Sequence, residues 1–284
     1  MKIFYGILAL LLIVLILIFL VSQFGNITFQ KKAEEEISRI LSEKSEKDPK
    51  IISEDDLNDL PEPVARWMRF SQVVGKENIK TLRLKQSGLM RIKPGQTGMK
   101  TTAVQYFNTE NPSFVWLARV NMAPFIFFAG KDKYENGRGQ MLIKALSILT
   151  VVDAEGKEID QGTLTRYLGE IIWFPTTALS DYISWEEIDD YSAQAKMSYR
   201  GVSASAVFNF DQKGRVKSFN CDRYYSGEEG YSLKEYYAPV WDYQEFAGIK
   251  IPTQAKAIWK LKSGDYEYYE MKITEIDYNI EDLY

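Results

Sequence analysis

Through most of the chain apolar side chains return at every second residue, and that period decides the fold class. Leu82, Leu84, Gln86, Met90 and Ile92 alternate with Arg83, Lys85, Ser87, Arg91 and Lys93. Phe114, Trp116, Ala118, Val120 and Met122 share one face, with Arg119 and Asn121 on the other. Val202, Ala204, Ala206, Phe208 and Phe210 repeat the pattern, as do Ile251, Thr253, Ala255, Ala257, Trp259 and Leu261. Successive strand residues point to opposite faces, so these runs are antiparallel strands with one buried face and one wetted face. Turn signals separate them: Lys93-Pro94-Gly95, Asn136-Gly137, Asp211-Gln212-Lys213-Gly214, Ala247-Gly248 and Ser263-Gly264-Asp265. Two segments break the alternation. One helix starts near Pro61 and Pro63 and carries Val64, Trp67, Met68 and Phe70, ending by Gly75; prolines suit a first turn. A second spans 160–175, with Leu164, Leu168 and Ile171 or Ile172 at helical spacing, Asp160 or Thr163 as cap and Pro175 as its limit.

Ahead of the strands, residues 3–21 are apolar except Tyr5 and Gly6. At a helical rise of about 1.5 Å these nineteen residues reach about 28 Å, the thickness of a bilayer's hydrocarbon layer. A cleaved signal has a shorter apolar core of about 7–15 residues and a small-residue cleavage site, which Leu20-Val21-Ser22-Gln23 does not offer. The run reads as a retained single-pass anchor. Lys2 and the amino terminus favour a cytoplasmic N-terminus, although Lys31 and Lys32 follow the span. The expected location is the bacterial inner membrane, with the body outside the cytoplasm. Residues 23–59 are charge-rich and read as a linker, with a short amphipathic helix over 33–41 and a solvated spacer over 42–50. The organisation expected is therefore an anchor (1–22), a charged linker (23–59) and one curved-sheet domain (60–284).

Chemistry is bounded by what is missing. The chain has no histidine and one cysteine, Cys221, which removes Ser-His-Asp and Cys-His arrangements, His-ligated and Cys-rich metal sites and any internal disulfide. No cofactor is called for. With 35 Lys and Arg against 39 Asp and Glu, a net charge of −4 and no dense basic stripe, nucleic acid is not an expected partner. Asp153, Glu155, Glu158 and Asp160 form an acidic run. Paired carboxylates can hydrolyse glycosides when held about 5–9.5 Å apart, but a turn and a helix cap also explain these four. Arg166 and Glu170 stand four apart on the second helix, as an ordinary surface pair or, if desolvated inside a curved sheet, as a binder of a polar head. The stretch 123–130 is the most apolar outside the anchor, and reads either as a doubly buried strand or as a lip touching bilayer or ligand.

Several strings resemble an uncharacterised bacterial family of membrane-anchored proteins, a domain of unknown function. They are Leu60-Pro61-Glu62-Pro63-Val64, Gln105-Tyr106-Phe107, Asp132-Lys133-Tyr134, Arg166-Tyr167-Leu168-Gly169-Glu170-Ile171-Ile172-Trp173-Phe174-Pro175 and Gly248-Ile249-Lys250-Ile251-Pro252. The resemblance runs from about 60 to 278 and brings no catalytic residues with it. More weakly, the strand succession is similar to the half-barrel proteins that carry lipoproteins across the periplasm, a likeness of fold that does not establish function.

The fold class expected is mainly β, of the α+β type: a transmembrane helix, then a large curved antiparallel sheet, a half-barrel, with one or two packed helices. So few helices cannot cover so many bulky strand residues, and a sheet curled around them leaves an apolar hollow unless the core packs completely. The function expected is non-enzymatic binding of a lipid or other hydrophobic ligand beside the membrane. Trp116, Val120, Met122, Phe125, Phe208 and Trp259 are the expected lining, with Arg119 or Arg166, paired with Glu170, near a polar head. A packed structural or partner-binding module, with protein partners unidentified, and a carboxylate hydrolase are the competing readings.

Overall fold

Strands from opposite ends of the sequence meet at the centre of the sheet. The computed structural model describes residues 1–43, 50–227 and 230–284. Six strands precede the crossing helix: β1 (Thr81–Met90), β2 (Met99–Asn108), β3 (Ser113–Ala123), β4 (Ile126–Glu135), β5 (Arg138–Ala145) and β6 (Leu149–Ala154). Seven follow: β7 (Ile183–Asp189), β8 (Ser192–Tyr199), β9 (Val202–Phe210), β10 (Val216–Gly227), β11 (Gly230–Phe246), β12 (Ile249–Leu261) and β13 (Gly264–Tyr278). They form one 13-stranded sheet in the order β6-β5-β4-β3-β2-β1-β13-β12-β11-β10-β9-β8-β7, antiparallel throughout. β1 and β13 join the two arms in register from Leu82↔Tyr278 to Met90↔Tyr269, with a bulge at Lys85 and Gln86. The sheet curls into the expected half-barrel. The Asn136-Gly137 and Ala247-Gly248 turns take positive φ at both positions, as tight hairpins require.

Among the described residues three α-helices dress this sheet. α1 (Lys2–Ser42) is one unbroken helix of 41 residues, long and apolar enough in its first half to cross a membrane. α2 (Glu62–Phe70) drives Trp67 into the second arm, where it stacks on Phe208 at 6.2 Å and meets the edge of Trp185. α3 (Lys157–Glu170) crosses the concave face and packs on β9, β5, β10 and β4. It begins three residues earlier than the sequence reading placed it, after Gly156 at φ 116°. Asp160 therefore lies inside the first turn, where it accepts the Gly139 backbone N–H at 2.7 Å rather than capping the helix. Short 3₁₀ turns over Ile171–Trp173 and Pro175–Leu179 carry the chain on from α3. Two glycines set how closely α3 approaches: a Cβ at Gly169 would enter the Phe219 ring, and one at Gly139 would meet Thr163.

The segment read as a linker is folded wherever it is described. The second half of α1 lies along the outer face of β2, β3 and β4, burying Phe29, Ala33, Ile37, Ile40 and Leu41 against Tyr106, Val115, Leu117, Phe127 and Ala129. Glu36 bridges Lys131 at 2.6 Å and Lys133 at 3.2 Å, and Arg39 grips Glu135 through two hydrogen bonds. Ile52 and Leu57 enter the main core. Most of the expected spacer over 42–50 lies outside the described residues.

Candidate functional site

Between the concave face and α3 lies a cavity of about 560 Å³. The completely packed core is thus not what the chain builds. The alternation of the strands decides which side chains reach this space. From β3, Trp116, Ala118 and Val120 line it, while Val115 and Leu117 turn outward to α1. From β4 it receives Phe128, Gly130 and Asp132, while Ala129 and Lys131 face α1. Tyr236 and Ala238 of β11, Trp259 of β12 and Tyr268, Tyr269 and Met271 of β13 form the opposite wall. Small residues keep the hollow open: a Cβ added to Gly130 would meet nothing closer than the Trp116 ring at 3.7 Å.

One buried polar cluster interrupts the apolar lining. Arg166 and Glu170 share a face of α3, and Arg166 Nε donates to Glu170 Oε1 at 2.8 Å while Nη1 donates to Asp132 Oδ2 at 2.6 Å. Gln105 Nε2 donates to the other Glu170 oxygen at 2.8 Å, Gln86 Nε2 donates to Gln105 Oε1 at 3.2 Å, and Trp116 Nε1 donates to Gln86 Oε1 at 3.1 Å. The guanidinium also lies over the Trp116 ring at 4.8 Å. Burial pushes the Asp132 and Glu170 carboxyls above the usual carboxylate range, against the pull of Arg166. Burial also works against the charge of Arg166, but the two carboxylates outweigh it and hold its pKa above the usual value. Charges in such a setting are stable only as a matched, fully hydrogen-bonded set.

A second guanidinium, Arg223 of β10, lines the cavity one helical turn from this cluster. Its Nε donates to the Gly162 carbonyl at 3.0 Å, and the group lies over the rings of Tyr236 at 5.4 Å and Trp259 at 5.9 Å. Cys221, two residues before it on the same face, has its thiol pushed up to about 12 by burial and is unreactive at neutral pH.

Of the residues expected to line the hollow, Trp116, Val120, Trp259, Arg166 and Glu170 do so together. The other four lie elsewhere. Arg119 occupies the outer face of β3, over the Phe127 ring, because an odd position there points away from the cavity. Phe208 is filled in on every side by Trp67, Trp185 and Phe219. Met122 is half-exposed at the end of β3, and Phe125 stands 88% exposed in the β3–β4 turn at φ 64°. The apolar stretch 123–130 is thus a lip at its start and a buried strand further on. The acidic run does not assemble: Asp160 is spent on β5, and Asp153 accepts from Gln140 on the neighbouring strand. Among the described residues no group of three or more His, Cys, Asp or Glu side chains is placed to hold a metal ion. Gln86, Gln105, Asp132 and Arg223 belong to the site and were not singled out from the sequence.

Residues 50–271 match DUF6544, described as a family of unknown function. Among solved structures the chain is similar to a LolA superfamily protein from Nitrosomonas europaea, at 10% identity and a TM-score of 0.39, covering 79% of this chain and 90% of that one. It is also similar to a β-barrel-like protein of the domain of unknown function DUF1849 from Brucella abortus, at 11% identity and a TM-score of 0.24, covering 72% and 99%. Likeness at that level carries no argument about function. No curated protein matches the sequence.

Proposed function

We propose, for a chain that belongs to the DUF6544 family of unknown function, that it is a membrane-anchored, non-enzymatic binder of a lipid or other hydrophobic molecule. The observation that carries this reading is the cavity: about 560 Å³, walled by aromatic and aliphatic side chains. Ligand pockets typically span about 300–1,000 Å³, with an apolar lining and a few convergent polar groups. In this reading Trp116, Val120 and Trp259 contact the apolar part of the ligand, and the Arg166–Glu170 pair closes the polar side. The anchor occupies 1–22 in the bacterial inner membrane, with the body outside the cytoplasm. The 23–59 segment positions the body, and 60–284 holds the ligand.

Two features support a mouth on the membrane side. Ile92 and Val151 line the cavity yet are exposed, so the space reaches the surface beside them. They sit at the end of the sheet where Ser22, the first residue after the apolar run, donates to the Leu146 carbonyl in the β5–β6 turn. Hydrolysis is less well supported. Both Glu170 oxygens accept fixed hydrogen bonds, and Arg166 bridges it to Asp132, which leaves neither carboxyl placed as an acid–base pair around a substrate.

Filling the space tests the reading. Gly130→Leu and Ala118→Phe place new side chains in the hollow, the first beside the Trp116 ring. Full-length protein in phosphatidylcholine nanodiscs is expected to bind a fluorescent fatty acid, and both variants to lose that binding while their unfolding temperatures stay within a few degrees. Equal binding by wild type and both variants would remove the cavity from the function.

A further inference from the structure

We propose that Arg223 is the docking point for an anionic head, so that the ligand is an amphiphile carrying phosphate or carboxylate rather than a neutral lipid. This rests on the cavity reading and specifies its ligand. The three cavity guanidiniums differ in how they are matched, and Arg91 is paired with Glu267 at 2.8 Å. Arg166 is neutralised twice, by Asp132 at 2.6 Å and Glu170 at 2.8 Å. Arg223 forms no contact ion pair among the described residues; its one hydrogen bond runs from Nε to the Gly162 carbonyl, it lies over the Tyr236 and Trp259 rings, and it interacts at longer range with Tyr268 and with the Asp132 and Glu170 carboxylates. Among the described residues its two terminal nitrogens donate to no protein acceptor, and the side chain is only partly buried, so these donors face the cavity.

A guanidinium that faces an apolar cavity with unused donors is a ready partner for an anion entering that cavity. The geometry suits that task. The Nε bond to α3 fixes the plane of the fork, and the aromatic faces hold the cation without consuming its donors, leaving Nη1 and Nη2 for a bidentate contact with two oxygens of a phosphate or carboxylate. From this point the apolar lining of Trp116, Val120, Phe128 and Ile143 offers a continuous surface for an acyl chain. Arg223 also lies outside the matched Arg166 set, so an anion can bind it without breaking an existing ion pair.

The experiment uses ligands that differ only in the head. Binding of lysophosphatidic acid, of the monoacylglycerol with the same chain, and of inorganic phosphate is measured by intrinsic tryptophan fluorescence on the full-length protein in phosphatidylcholine nanodiscs. Wild type is expected to favour lysophosphatidic acid over the monoacylglycerol by about ten- to hundredfold, the range of a charge-assisted hydrogen bond. Arg223→Met is expected to erase that preference, lowering lysophosphatidic acid affinity to the level of the monoacylglycerol. Arg223→Gln, which keeps a donor for the Gly162 carbonyl without the charge, is expected to behave in the same way and controls for local misfolding. An unchanged preference in both variants, or an equal loss for both ligands, would overturn the assignment. Inorganic phosphate binding as tightly as lysophosphatidic acid would overturn it in favour of a site for the free ion. If wild type binds neither lipid, the cavity reading itself fails, a result distinct from a lost preference.

Discussion

Arg166 is the residue on which the interior depends most. Replacing it with leucine removes the contact ion pair of both Asp132 and Glu170 and leaves only the more distant Arg223 to offset them, and stranding buried charge in this way costs about 3–5 kcal/mol. The loss depends on pH with a definite sign. Both carboxyls already have folded-state pKa values above the unfolded values of about 3.9 and 4.3. The stability they contribute is therefore full below those unfolded values and declines as pH rises through the folded ones. Without Arg166 both shift further upward, so Arg166→Leu should melt far below wild type at pH 7.5 and recover much of the gap by pH 5. A gap that stays constant between those two pH values would show that the carboxyls are not desolvated as described. Asp132→Asn, which leaves Arg166 its Glu170 partner, should cost much less at pH 7.5. The Arg166–Glu170 pair was legible from its spacing of four on a helix. Its other partners were not: Asp132 is 34 residues away and Gln105 is 61, on strands whose approach only the curled sheet determines. Arg223 was illegible for a related reason, since among the polar and tyrosine residues of β10 nothing local separates an inward arginine from a wetted one.

At the scale of elements, period two made the strands readable because each strand carries its own record of which face is buried. α1 carries such a record only in part. Phe29, Ala33, Ile37, Ile40 and Leu41 form a stripe at helical spacing, but Lys31, Lys32, Glu34, Glu35 and Glu36 surround it and give the segment the composition of a spacer. What fixes the stripe lies on strands that begin more than fifty residues later: Val115, Leu117, Phe127 and Ala129 turn outward and would otherwise be an exposed apolar patch. α1 is thus an outer cover for the sheet as well as a helix long and apolar enough in its first half to cross a membrane. Ile37 is fully buried in that contact, and Ile37→Ala should lower stability by about 2–5 kcal/mol, as other large-to-small core changes do. Chemical denaturation of the full-length protein measures it. A change below about 0.5 kcal/mol, the ordinary surface range, would mean that the helix does not dock. The same contact implies that a body cut to begin near residue 51 exposes this patch and aggregates where the full chain does not.

For the whole molecule, the unbroken α1 would, as the proposed anchor, tie the geometry of the cavity to that of the bilayer. No solvated spacer separates the apolar run from the body on this side. Ser22 bonds the Leu146 carbonyl, and Ser147 bonds Asn26 one turn later, so the β5–β6 turn sits where the apolar run ends. Strand register carries that level across the first arm: Val120 pairs with Phe128, and Phe128 with Ala145. The β3–β4 turn therefore lies at the same end, with Phe125 and Ile126 exposed beside Ile148, Leu149 and Val151. Large apolar side chains gathered on hairpin tips next to a helix long and apolar enough to cross a membrane are stable where lipid, not water, surrounds them. In the membrane-anchored reading proposed above, the cavity mouth beside Ile92 and Val151 opens toward lipid, and a ligand enters without crossing water. This arrangement predicts a gradient of environment along the body. With Cys221→Ser as background, an environment-sensitive fluorophore on Phe125→Cys or Leu149→Cys should emit as in lipid and be quenched by spin-labelled lipids in nanodiscs. The same label on Lys213→Cys, in the β9–β10 turn at the opposite end, should emit as in water. If all three positions report water, the lip stands clear of the bilayer, and a ligand would have to reach the mouth through solvent.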